Sequence, residues 1–164
     1  RALACGGLDG LNFVLSATEA QNQRNLRQSI AESLGALGES ARLARSAGLP
    51  MRATISTAFG CPFEGYVPPE RVLDIAARCA ELGADEICLG DTTGMAVPTQ
   101  VHRLFRALAL RVPTLPLAVH LPDRSIDIGP TAEPVAANWP APTPMTEARY
   151  IRRLGKIQGL ERTR

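Results

Sequence analysis

Aromatic residues are scarce in this sequence and lysine is nearly absent. Phe, Trp and Tyr make up 4% of the 164 residues, too few for the stacking platforms of a single-strand nucleic-acid surface. Lys156 is the one lysine, and the 17 arginines are dispersed along predicted helices instead of forming a contiguous basic stripe, so no nucleic-acid partner is expected. No apolar run approaches the roughly 18 residues of a bilayer span, and the first ten residues lack the apolar stretch of a secretory leader. The expectation is a cytoplasmic protein with no membrane partner. Cys5, Cys61, Cys79 and Cys88 form no CxxC pair and show no zinc-type spacing, which points to reduced thiols. Cys79 and Cys88 fall on core positions, and Cys61, in a Gly-Cys-Pro turn, is the cysteine expected beside a site.

What is present suits a soluble globular domain: 45% hydrophobic and 21% charged residues, with a net charge of +2. Residues 1–121 balance 11 Arg against 11 acids, so the excess lies in residues 122–164, with 7 basic residues against 5 acids. Short apolar strands beginning near Leu11, Met51 and Glu86 each precede an amphipathic helix, and a fourth strand begins near Pro116. That alternation predicts parallel strands joined by crossover helices. The first helix opens on a capping box, Ser29-Ile30-Ala31-Glu32, and ends at Gly48-Leu49-Pro50. The second starts at Pro69 and stops at Gly83, and the third starts at Pro98. Each strand is apolar in its body and polar at its C-terminal end. Ser16, Thr18, Glu19, Ser56, Thr57, Asp91, Thr92 and His120 are therefore expected at one mouth, where α/β folds bind ligands.

After Leu121 the texture changes, with six prolines from Pro122 to Pro144 and no convincing strand. We divide the chain into a barrel-like part, 1–121, and a divergent Pro-rich segment, 122–164, that ends in a short basic helix at 146–160. One lysine against 17 arginines points to a GC-rich gene, in which a shifted frame stays open and becomes rich in Pro, Ala and Arg. The tail has that composition.

The most specific signals are two loops, Phe59-Gly60-Cys61-Pro62-Phe63-Glu64-Gly65 and Gly90-Asp91-Thr92-Thr93-Gly94. Together with SATEAQNQRN after the first strand and AVH at the fourth, they resemble, in order and spacing, 3-hydroxy-3-methylglutaryl-coenzyme A (HMG-CoA) lyase. That enzyme belongs to a metal-dependent barrel family that includes the isopropylmalate and homocitrate synthases. The resemblance covers about residues 10–121. It implies an α/β fold, part of a TIM (β/α)8 barrel, with about four βα units matching strands four to seven.

The resemblance implies retro-Claisen cleavage of 3-hydroxy-3-methylglutaryl-CoA to acetyl-CoA and acetoacetate, a step of leucine degradation. It also implies a divalent metal, Mg2+ or Mn2+, which offsets charge on substrate oxygens. His120 then matches the first histidine of a His-x-His-Asp metal motif, and Asp91 the catalytic aspartate of the Gly-Asp-Thr loop beside the reacting hydroxyl. Glu19, Asn25 and Thr92 match substrate-binding positions, and Arg52 a structural one. Read without the resemblance, Asp91 could equally cap the following turn, and His120 could be a hydrogen-bonded core histidine. Pro122 stands where the second metal histidine would be, while Asp123 keeps the expected aspartate. The family's Arg-Asp strand and cysteine-bearing loop have no counterpart here. The expectation is a lyase-like chain, truncated or frame-disrupted, that is inactive alone. The alternatives are a non-catalytic remnant that binds a partner or an acyl-CoA, and a fragment of a related acyl-transfer synthase. Besides acyl-CoA, a second copy or a complementing chain is an expected partner, because half a barrel leaves two open parallel edges.

Overall fold

The computed structural model describes residues 7–121. The segment expected at 122–164, with Pro122, Asp123 and the basic helix, lies outside the described residues, as does Cys5. The described elements are β1 (Leu11–Ser16), α1 (Glu19–Leu26), α2 (Ile30–Ser46), β2 (Met51–Ser56), α3 (Pro69–Glu81), β3 (Glu86–Gly90), α4 (Pro98–Arg111) and β4 (Leu117–His120).

The four strands form one parallel sheet in the order β1-β2-β3-β4, with Leu11 opposite Met51, Ala53 opposite Ile87 and Gly90 opposite His120. Because parallel crossovers are right-handed, consecutive order puts every crossover helix on the same face. A doubly wound sheet would reverse its order somewhere, and this one does not. The arrangement is therefore an arc of a barrel.

Period-two burial follows from that geometry. Met51, Ala53, Ile55, Ile87 and Leu89 are each at most 1% exposed on the helix-covered face, and each large side chain hidden there contributes about 1.5–3 kcal/mol. Leu34 and Leu37 of α2, Val72 of α3 and Leu108 of α4 are buried as well. The opposite face is polar: Arg52 pairs with Glu86 at 2.9 Å, and the Thr54 hydroxyl donates to Asn12 Oδ1 at 2.7 Å. Arg52, matched to a structural position through the resemblance, thus forms an ion pair between adjacent strands. Val14 is 44% exposed on this face, where no described helix lies.

Local chemistry sets the helix limits. Ser29 Oγ accepts from the Glu32 amide, and the Ser29 amide donates to Glu32 Oε2, so the expected capping box forms. The Ser29 amide, then the Ser29 hydroxyl donating to the same carboxylate, holds the Glu32 carboxyl below its ordinary range. Pro69 and Pro98 open α3 and α4, and Gly83, at φ 100°, follows the end of α3. Helix α1 was not expected, because EAQNQRNL has no apolar stripe. What buries it is polar: Gln21 and Asn22 are its buried residues. Among the described residues no helix is long and apolar enough to cross a membrane.

Candidate active site

The C-terminal ends of the strands meet at one mouth, as their polar endings imply. Ser56 Oγ donates to the Leu15 carbonyl at 3.1 Å, so in the 2.8 Å contact between the two serines Ser16 Oγ is the donor. Thr18, fully buried, donates its hydroxyl to Cys61 Sγ at 3.1 Å. Cys61 therefore does lie beside the mouth, and its sulfur also accepts from the Phe63 amide at 3.4 Å. Burial pushes the Cys79 thiol up to about 12 and raises the Cys88 thiol as well, in keeping with their expected places in the core.

Asp91 is 4% exposed, and both carboxylate oxygens are occupied. Oδ1 accepts from the Met95 amide at 2.9 Å and Oδ2 from the Ala96 amide at 3.2 Å. The turn-capping alternative is thus present in the structure. It does not exhaust the group, since each oxygen keeps a second lone pair. The Asp91 amide donates to the His120 carbonyl at 2.8 Å, so the two residues close adjacent strands. His120 itself is exposed. Thr92, also exposed, accepts from the Thr57 amide through Oγ1 at 3.1 Å.

The loops after β2 and β3 form one wall. Besides the Thr57 contact, the Ala58 amide donates to the Gly90 carbonyl at 3.1 Å, Thr93 Oγ1 to the Gly60 carbonyl at 3.3 Å, and Gln100 Nε2 to the Phe59 carbonyl at 3.0 Å. Gly60 is required at its place, because a Cβ there would come within 2.9 Å of the Met95 side chain. Thr57 has φ 55°, a left-handed conformation that costs a non-glycine residue on the order of 1–3 kcal/mol.

The structure brings Asp91, Thr92 and His120 together and uses Glu19 elsewhere. The Glu19 carboxylate accepts from the Ile30 amide at 3.0 Å and so caps α2. It lines a cleft of about 570 Å3 with Ile30, Glu64, Arg71 and Ile75. Asn25 is exposed on α1. The residue that anchors this corner is Asn22, which the sequence reading missed. It is fully buried, accepts from the Ser16 amide at 2.9 Å, and donates to the Gln28 carbonyl at 2.9 Å and Ser33 Oγ at 2.7 Å. The available signal was a helix with no apolar face, which has to bury polar side chains. Glu64 was also missed as an anchor: Oε1 accepts from the Ala20 amide and Oε2 pairs with Arg71, both at 2.9 Å. The Ala20 bond, then Arg71, holds the Glu64 carboxyl below its usual range.

A family model described as HMGL-like matches residues 1–132. The chain belongs to the HMGL-like family. Over 118 residues it is 46% identical to (R)-citramalyl-CoA lyase of Chloroflexus aurantiacus, a match covering 72% of this chain and 37% of that one. It is 40% identical over 118 residues to hydroxymethylglutaryl-CoA lyase of Bacillus subtilis, covering 72% and 40%. A solved HMG-CoA lyase of Acinetobacter baumannii, in complex with coenzyme A and 3-methylmalate, superposes with a TM-score of 0.71 at 33% identity, covering 84% of this chain and 44% of that one. The likeness to HMG-CoA lyases read from the two loops is borne out, as is the partial-barrel fold. The chain spans about two fifths of the length of these curated relatives.

The described residues do not fit a divalent metal by themselves. Among them no three His, Cys, Asp or Glu side chains stand together as an ion would require, and a hard cation takes six or more oxygen-rich ligands.

Proposed function

We propose that this HMGL-like chain carries the strand-end wall of an acyl-CoA lyase of the HMG-CoA lyase type. The observation that carries the reading is the Asp91 carboxylate, buried and aimed by two loop amides, beside Thr92 and joined through its own amide to His120. In this reading the free lone pairs of Asp91 face the tertiary hydroxyl of a 3-hydroxyacyl thioester, and Thr92 contacts the acyl group. His120 would offer a single ligand to a magnesium or manganese ion, and the described residues do not supply the others. The favoured substrate is 3-hydroxy-3-methylglutaryl-CoA, which the complete site would cleave to acetyl-CoA and acetoacetate and which this chain alone binds without turnover. Citramalyl-CoA is its competitor, because a relative named for that thioester shares 46% identity.

A second reading, an acyl-CoA-binding chain that does not cleave, is favoured by the absence of a three-group metal cluster among the described residues. Both readings require the acyl group to be felt at the mouth. Titration of the full chain with 3-hydroxy-3-methylglutaryl-CoA, citramalyl-CoA and free coenzyme A tests this. Both thioesters are expected to bind more tightly than free coenzyme A, and Asp91→Ala to remove the difference. Equal affinity for all three would contradict the proposal.

A further inference from the structure

Thr57 is the first residue after β2. It is fully buried, β-branched and left-handed at φ 55°, a combination that sterics penalise and that glycine would adopt freely. The surrounding bonds hold it there. Its hydroxyl donates to the Ser56 carbonyl at 2.7 Å, and its carbonyl accepts from the Gly60 amide at 3.4 Å. The turn takes the Thr57 amide out of the ladder that a continuing strand would make. The amide donates instead to a side chain, Thr92 Oγ1, at 3.1 Å.

A hydroxyl has one hydrogen and two lone pairs. With one lone pair of Thr92 Oγ1 tied to the Thr57 amide, its hydrogen must point away from that amide. No described residue accepts it, and Thr92 is exposed. We infer that Thr57 is a positioning residue, whose left-handed backbone holds the Thr92 hydroxyl as a hydrogen-bond donor to an oxygen of the bound acyl group. The inference rests on the reading of the mouth as an acyl-CoA lyase site. It adds a source of discrimination, because free coenzyme A has no acyl oxygen to receive that bond.

The test measures, for each variant, the ratio of affinities for 3-hydroxy-3-methylglutaryl-CoA and free coenzyme A. Thr92→Val is expected to lower thioester affinity about tenfold and leave coenzyme A unchanged, with Thr92→Ser restoring the ratio. Thr57→Gly, which suits the left-handed backbone, keeps the ratio within about twofold, whereas Thr57→Val, which resists it, loses about as much as Thr92→Val. The double variant Thr57→Val/Thr92→Val loses no more than Thr92→Val alone, as coupled residues require. Hydrogen exchange of the Thr57 amide, measured without ligand, should quicken about tenfold in Thr92→Val. Equal ratio losses in Thr57→Gly and Thr57→Val, or an unchanged exchange rate, overturn the inference while a thioester preference in the parent chain leaves the proposed function standing. If the parent chain shows no such preference, the proposed function fails and this inference fails with it. Should Thr57→Val not fold, Thr57→Gly and the exchange measurement decide.

Discussion

The end of β4 and the ends of β2 and β3 sit at the same edge of one sheet, yet they are built differently. Ser56 and Asp91 are buried, and the loops that follow them share hydrogen bonds from Thr57, Ala58 and Thr93, with another from Gln100 of α4. At β4, Val119 is 40% exposed and His120 is exposed beside it. The difference separates positioning from ligation. In the proposed site, the groups to be aimed, the Asp91 carboxylate and the Thr92 hydroxyl, are held by hydrogen bonds to neighbouring loop amides. The histidine proposed as a ligand, His120, stands on β4 with no cluster of three potential ligands among the described residues.

The largest expected difference is in stability. Ile55→Ala, beneath the built wall, should cost about 3–4 kcal/mol in urea denaturation, and Val119→Ala at the edge less than about 1 kcal/mol. Similar costs at the two sites would mean that β4 is packed as firmly as β2. Next in size is Asn22→Ala, which strands the Ser16 amide and should lower stability by about 2 kcal/mol. A loss below about 0.5 kcal/mol would remove Asn22 as the anchor of the corner.

A smaller effect concerns Glu64, whose carboxyl is held below its usual range by the Ala20 amide and Arg71. A depressed folded-state pKa contributes stability above the unfolded value, about 4.3, and loses it as pH falls through the folded value. Glu64→Gln should therefore be the less stable chain at pH 7, by a few tenths of a kcal/mol for so exposed a pair. Denaturation curves at pH 3 should bring the two together, and a gap that widens on acidification would reverse the sign of this account.

Features set by neighbours in the chain were legible in the sequence. The Ser29–Glu32 box lies within one turn, Pro69 and Pro98 mark starts by their own geometry, and the alternation of Met51, Ala53 and Ile55 records a covered face. Features set across the fold were not. Glu19 caps α2 by reaching Ile30, 11 residues on, and the same carboxylate reads equally well as a mouth residue. Helix α1 escaped notice because hydrogen bonds through Asn22 hold it where an apolar stripe would be sought. The left-handed backbone of Thr57 left no trace, since nothing local asks a threonine for a positive φ. Asp91 shows both limits: its loop marked the candidate site, but only the structure shows that two amides hold the carboxylate.

The central claim is that the proposed wall positions an acyl group while the described residues do not complete a metal-dependent lyase site. The most direct measurement is thioester cleavage by the purified full chain with magnesium or manganese, using 3-hydroxy-3-methylglutaryl-CoA and following acetyl-CoA release. The account predicts no measurable product. Turnover that is lost in both Asp91→Ala and His120→Ala would contradict it.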